Sequence, residues 1–261
     1  SKNTAPAIAT AALHSFSEHD DPILLILPSD HLIKNNQKFL ESIEKARLSA
    51  QKGYIVTFGI KPNHPATGYG YIKSEESCDE KILTPYKIKE FIEKPEKELA
   101  KKFIQDKNYT WNSGIYMAKA STIINEVEKF VPEINFHCKK SLDKKVKDLD
   151  FERLNKEEFV KCPDISIDKA IMEKSSIGVV FPLDVEWSDI GGWQSFWENS
   201  EKDESGNVIG GDAMQISSKN CLIKSNSRLT VGLGLEEIVI IETNDAVLVA
   251  KKVSLKMLNH L

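Results

Sequence analysis

Ile23-Leu24-Leu25-Ile26-Leu27 is an unbroken apolar run that Pro28 stops. A strand with one face in water alternates polar and apolar residues. A run without alternation suits a strand covered on both faces, as in a parallel sheet flanked by helices. From Gln37 to Lys52 the apolar residues Phe39, Leu40, Ile43 and Ala46 recur at helical spacing, and Gly53 supplies a C-terminal stop. Tyr54 to Phe58 reads as the next strand. Strand, helix and strand within about 35 residues make a right-handed crossover unit, which predicts an α/β fold with a mostly parallel, Rossmann-like sheet.

The alanine-rich segment 4–16 reads as a helix with no strand before it. Further strands are predicted at 86–92, 115–118 and 177–183. Helices follow Pro95, run through Ile123, Ile124, Val127 and Phe130, and start after Gly191 and Gly192. The charged stretch 141–160 has weak apolar periodicity and is predicted to be a helix with a solvated face. Composition changes at 200–207. Beyond it, short β-like pieces at 213–216, 221–224, 229–233, 238–242 and 246–250 alternate with turn formers and predict a small all-β segment. The expected division is a domain over 1–203 and a β-rich domain over 204–261.

A length of 261 residues allows one large domain and a small one. With 39 acidic against 35 basic side chains, the chain lacks the basic excess of a nucleic-acid binder. No apolar run approaches the ~20 residues that span a bilayer, and no signal-peptide pattern opens the chain, so a cytoplasmic protein is expected. Cys78, Cys138, Cys162 and Cys221 form no C-x-x-C pair and read as reduced structural thiols.

Several segments carry groups suited to chemistry. Asp30, in Leu27-Pro28-Ser29-Asp30-His31, follows the end of a strand, where open α/β sheets bind ligands. A carboxylate there suits Mg²⁺, which takes one or two carboxylates plus phosphate oxygens; it equally suits a turn cap. Asp189, in Trp187-Ser188-Asp189-Ile190-Gly191-Gly192-Trp193, is a second such carboxylate, or a helix N-cap. Gly70, in Thr67-Gly68-Tyr69-Gly70-Tyr71-Ile72, allows close backbone approach to a sugar, or simply turns the chain. Glu93 and Lys94 present an acceptor for sugar hydroxyls and a point charge for phosphate, or a solvated strand end. Asn112, just before a predicted strand, reads as a hydroxyl ligand or an Asx-turn. Asp168 lies in a helix that Ser166 is placed to cap.

Taken in order, these segments resemble the sugar-nucleotide pyrophosphorylases, and among them the bacterial mannose-1-phosphate guanylyltransferases of the type fused to mannose-6-phosphate isomerase. The resemblance also rests on Asn3-Thr4-Ala5-Pro6-Ala7-Ile8-Ala9, on Trp111-Asn112-Ser113-Gly114 and on Ser166-Ile167-Asp168-Lys169-Ala170, and spans residues 3–250. It implies transfer of a guanylyl group from GTP to mannose 1-phosphate, giving GDP-mannose and pyrophosphate. By matching position, Asp30 and Asp189 would hold Mg²⁺. Gly70, Glu93, Asn112 and Asp168 would line the mannose pocket, Lys94 would neutralise the sugar phosphate, and Thr4, Ala5 and Ala7 would lie near the guanine. A homodimer is a further expectation.

The family's glycine-rich loop, with its arginine and lysine for the triphosphate, has no counterpart in these 261 residues. Negligible transferase activity is therefore expected of this chain alone. Three alternatives stay open: another sugar or nucleotide on the same scaffold, a non-catalytic binding module, and part of a bifunctional isomerase. The last finds no His and Glu cluster at metal-ligand spacing.

Overall fold

The computed structural model describes residues 2–79 and 82–255, which fall into two compact units. The first takes the described residues up to 29 together with 33–187; the second takes 30–32 and those from 188 onward.

Helix α1 (Thr4–Glu18) opens the first unit, capped by the Asn3 side chain, which accepts from the Thr4 N–H. Strand β1 (Ile23–Ile26), helix α2 (Asn36–Gln51) and strand β2 (Ile55–Ile60) realise the crossover. Then come β3 (Tyr71–Ser74), β4 (Tyr86–Ile92), α3 (Lys97–Phe103), β5 (Tyr109–Lys119), α4 (Ala120–Phe130), α5 (Pro132–Asp143) and β6 (Gly178–Pro182). The sheet order is β1-β5-β2-β6-β4-β3, and β5 also pairs with β3. Strand alternation sends Ile115 and Met117 of β5 to one face, against Ala46 and Ala50 of α2 and Phe58 of β2. Tyr116 and Ala118 go to the other face, against Ala5, Ile8 and Ala9 of α1 and Ile123 of α4. Helices on both faces make this an α/β sandwich.

Two expectations need correction. The sheet is mixed, not mostly parallel: among its own described strands only β2–β6 is a parallel neighbour pair. The cause is β5, which inserts between β1 and β2 and runs against both. For the same reason β1 pairs only with β5 and lies at the edge of the described sheet, with Leu25 exposed. The charged stretch 141–160 is not one helix either. It holds the end of α5, a hairpin of Val146–Asp148 with Phe151–Arg153, and a single turn at Lys156–Phe159. Leu149 takes a left-handed conformation at φ 55°, which closes the tight hairpin turn.

In the second unit, helix α6 (Trp193–Asn199) precedes β7 (Val208–Ile216), β8 (Leu222–Leu233), β9 (Ile238–Glu242) and β10 (Val247–Lys251). The first three strands stack in parallel and β10 closes antiparallel. Trp193, Phe196 and Trp197 of α6 pack on Val208, Leu222, Val239 and Ile241. The predicted pieces 221–224 and 229–233 are one strand, continuous through 225–228. There the buried Glu242 carboxylate accepts from the Ser225 hydroxyl (2.7 Å) and the N–H groups of Asn226 (3.0 Å) and Ser227 (2.9 Å).

Candidate active site

The residues that the resemblance assigns to the sugar converge in the first unit, and a β-bulge brings them together. Thr57 of β2 lies opposite Tyr116 of β5, and Gly59 opposite Asn112, so two steps along β2 match four along β5. Gly114, at φ 72°, takes the left-handed conformation that this extra length requires. In a regular strand, residues four apart stand about 13 Å from each other. Here the Asn112 amide nitrogen donates to the Tyr116 hydroxyl oxygen at 2.8 Å and to Asp168 Oδ1 at 3.0 Å. Tyr116 in turn donates to Asp168 Oδ1. The other end of the amide, Asn112 Oδ1, accepts from the Thr57 hydroxyl at 2.7 Å.

The amide nitrogen, which carries two N–H donors, thus faces both Tyr116 Oη and Asp168 Oδ1. The Asn112 backbone N–H is donated to Gly70 O at 2.8 Å, which ties the glycine motif to the same spot. Gly70 is buried, and a Cβ there would come within 2.7 Å of Glu93 Oε2, so a side chain at this position would displace the Glu93 carboxylate. Glu93 is 12% exposed and pairs with the exposed Lys94 at 3.5 Å. Burial pushes the Glu93 carboxyl above its usual range. Asp168 and Glu173 add to the rise, and Lys94 opposes it. Burial, and then the charge of Asp168, raise the Tyr116 phenol well above its ordinary value.

Asn112 therefore lies inside β5 rather than just before a strand, and it forms no Asx-turn. Asp168 begins a π-helical turn, Asp168–Met172. The segment before it is stapled to α1: Ala5 N–H donates to Ile165 O (3.2 Å), and Ile167 N–H donates to Thr4 Oγ1 (2.9 Å). Ala5 is fully buried, whereas Thr4 and Ala7 are exposed.

Asp30 and Asp189 both fall in the second unit. Each acts on the His31 imidazole, raising its proton affinity against a larger lowering by burial. Asp189 Oδ1 accepts from the Gly191 N–H at 3.2 Å, and the N-cap of α6 is Gly192, so Asp189 is not the helix cap. Among the described residues no group of three His, Cys, Asp or Glu is placed to hold a metal. Two hard carboxylates suit a divalent cation that completes its shell with phosphate oxygens and water.

A model of the nucleotidyl transferase family matches residues 1–206. The chain belongs to the nucleotidyl transferase family. A second model, the MannoseP isomerase/GMP-like beta-helix domain, matches residues 211–254, in line with the stacked parallel strands of the second unit. A mannose-1-phosphate guanylyltransferase of Klebsiella pneumoniae is 43% identical over 96% of this chain and 53% of the relative. This transferase chain spans about half the length of the curated relatives it matches. Among solved structures, mannose-1-phosphate geranyltransferase from Thermus thermophilus aligns with a TM-score of 0.83 at 25% identity, over 99% of this chain and 74% of that one. Mannose-6-phosphate isomerase from Helicobacter pylori aligns with a TM-score of 0.64 at 35% identity, over 72% and 71%.

Thr57 and Tyr116 are the site residues that sequence reasoning missed. Both read as ordinary strand residues, and only the bulge at Gly114 brings them to Asn112. Glycine inside a strand pattern was the available signal.

Proposed function

We propose that this nucleotidyl transferase joins GTP and mannose 1-phosphate into GDP-mannose and pyrophosphate. The observation that carries the reading is the convergence of Gly70, Glu93, Asn112 and Asp168 on one spot, in a chain whose relatives bear the name mannose-1-phosphate guanylyltransferase. Two carboxylates and an amide make a donor and acceptor set for the vicinal hydroxyls of a hexose. Lys94 offsets the charge of the sugar phosphate, whose oxygen attacks the α-phosphorus in line. The new P–O bond forms as the α–β bridge breaks, and pyrophosphate leaves with the bonding electrons. No covalent intermediate with the protein is needed; the chain positions the reactants and balances charge.

On the nucleotide side, Thr4 and Ala7 are the exposed residues of the turn we assign to guanine, with Ala5 packed beneath them. Asp30 and Asp189 are assigned to the divalent cation, Mg²⁺, which neutralises phosphate charge when bound. We also place the protein in the cytoplasm, in line with the absence of any helix among the described residues long and apolar enough to cross a membrane. A homodimer is part of the proposal. The test is pyrophosphate release by the complete protein with GTP and either mannose 1-phosphate or glucose 1-phosphate. Preference for the mannose ester supports the reading; equal turnover, or preference for glucose 1-phosphate, overturns it.

A further inference from the structure

We propose that Tyr116 and Thr57 are positioning residues that set the Asn112 amide and the Asp168 carboxylate for a sugar, through the bulge at Ser113 and Gly114. The assignment of a sugar to this spot rests on the proposed function above; the hydrogen-bond relay itself does not.

An asparagine side chain can turn its amide end for end, which exchanges a donor for an acceptor. Two constraints fix it here. Thr57 has a single hydroxyl hydrogen and two acceptors in range, Asn112 Oδ1 at 2.7 Å and Ile115 O at 3.1 Å. In the observed orientation the shorter bond goes to Asn112 Oδ1. Reversal would bring that oxygen against Asp168 Oδ1, two acceptors facing each other without a proton between them. Tyr116 closes the relay by donating to Asp168 Oδ1 while accepting from the Asn112 amide. Its ring is 3% exposed and packs among Ile8, Ile55 and Ile123, so the hydroxyl is held by the core.

Asp168 Oδ1 thus receives both Tyr116 and Asn112, and its other carboxylate oxygen is left for a hydroxyl donor. The Asn112 amide nitrogen, a two-hydrogen donor, stands beside it. The relay prepares one donor and one acceptor side by side, which matches two neighbouring hydroxyls of a hexose. It also joins three elements distant in sequence: β2 through Thr57, β5 through Asn112 and Tyr116, and the 165–172 segment through Asp168. Since the 165–167 stretch is stapled to Thr4 and Ala5, the relay anchors the segment that carries the sugar carboxylate.

The experiment combines calorimetric titration of mannose 1-phosphate with ¹⁵N-resolved NMR of the Asn112 side-chain amide. The proteins are the wild type, Tyr116→Phe, Thr57→Val and Thr57→Ser. Tyr116→Phe removes one oxygen without changing the ring, and is expected to weaken mannose 1-phosphate by about tenfold, the scale of one buried hydrogen bond lost with its partners left behind. Thr57→Val, which keeps the shape without the hydroxyl, is expected to follow it. Thr57→Ser restores the donor and is expected to stay within about threefold of wild type. The Asn112 amide protons are expected to shift in Tyr116→Phe and Thr57→Val and to hold in Thr57→Ser.

Wild-type affinity in Tyr116→Phe, or an unmoved Asn112 amide, overturns the proposal. Equal losses in Thr57→Val and Thr57→Ser do the same, because a packing role would not distinguish them by the hydroxyl. Failure of the wild type to bind mannose 1-phosphate would overturn the sugar assignment, and the amide resonances would then decide the relay alone.

Discussion

The two groups of residues expected to handle the substrates are built in opposite ways. The cluster around Asn112 is buried, cross-bonded and set by a bulge, with each partner drawn from a different strand or turn. The pair Asp30 and Asp189 lies in the other unit, exposed or half-buried, and the two carboxylates share their electrostatic influence on His31. A sugar has fixed hydroxyl directions, so a rigid, desolvated frame adds selectivity and avoids ordering costs on binding. A hydrated cation needs hard oxygens and room for water and phosphate, so a partly open pair suits it.

That contrast is sharpest where the two groups are disabled separately. Asp189→Asn or Asp30→Asn is expected to lower pyrophosphate release by the complete protein about a hundredfold or more, since a metal carboxylate carries more than a supporting contact. Mannose 1-phosphate affinity, measured calorimetrically, is expected to change by less than about threefold. A matching loss of affinity would erase the distinction. Gly70→Ala is the converse probe. The added methyl meets Glu93 Oε2, and the carboxylate must move. About a tenfold loss of sugar affinity is expected, with Mg²⁺ affinity unchanged. An unchanged sugar affinity would mean that the Glu93 position is not set by its neighbours.

How far each group could be read in the sequence follows from the same difference. Glu93, Asn112 and Asp168 sit in short motifs whose residue types suggest polar recognition, and the structure does gather them. Their supports, Tyr116 and Thr57, were hidden because alternation assigns them to a strand face, and the local signal, glycine at 114, does not say that β5 gains two residues on β2. Asp30 was legible as a carboxylate just past a strand end, although that strand pairs antiparallel with β5. The mixed sheet could not be read at all, because strand order and direction depend on long-range pairing that periodicity does not encode. Likewise the 146–153 hairpin turns at a leucine with positive φ, a residue type that does not signal such turns. In the second unit the short β pieces were legible, while their fusion through 225–228 depended on Glu242, distant in sequence.

Glu242 also provides the smallest test of the contrast, a buried carboxylate fully supplied with donors and assigned to no ligand. Its donors, the Ser227 hydroxyl and N–H first and then Ser225 and Asn226, hold the carboxylate at a pKa of about 2. A folded value below the unfolded one, near 4.5, stabilises the fold fully above the unfolded value. That contribution is lost as pH falls from the unfolded value toward 2. Glu242→Gln is therefore expected to lower the melting temperature at neutral pH and to flatten its acid dependence in that window, as followed by circular dichroism. Sugar affinity is expected to stay at the wild-type level.

The decisive measurement is a calorimetric titration of mannose 1-phosphate into the wild type and Glu93→Gln across pH 7 to 5, in the presence of EDTA. A sugar subsite prepared by the chain's own residues binds without added metal. With the Glu93 carboxyl raised by burial and by Asp168, wild-type affinity falls on acidification from above the ordinary carboxylate range, as the acceptor takes up a proton. Glu93→Gln binds more weakly at pH 7 and shows a flatter profile. Binding that requires Mg²⁺, or a variant indistinguishable from wild type at every pH, would contradict a preformed sugar site at Gly70, Glu93, Asn112 and Asp168.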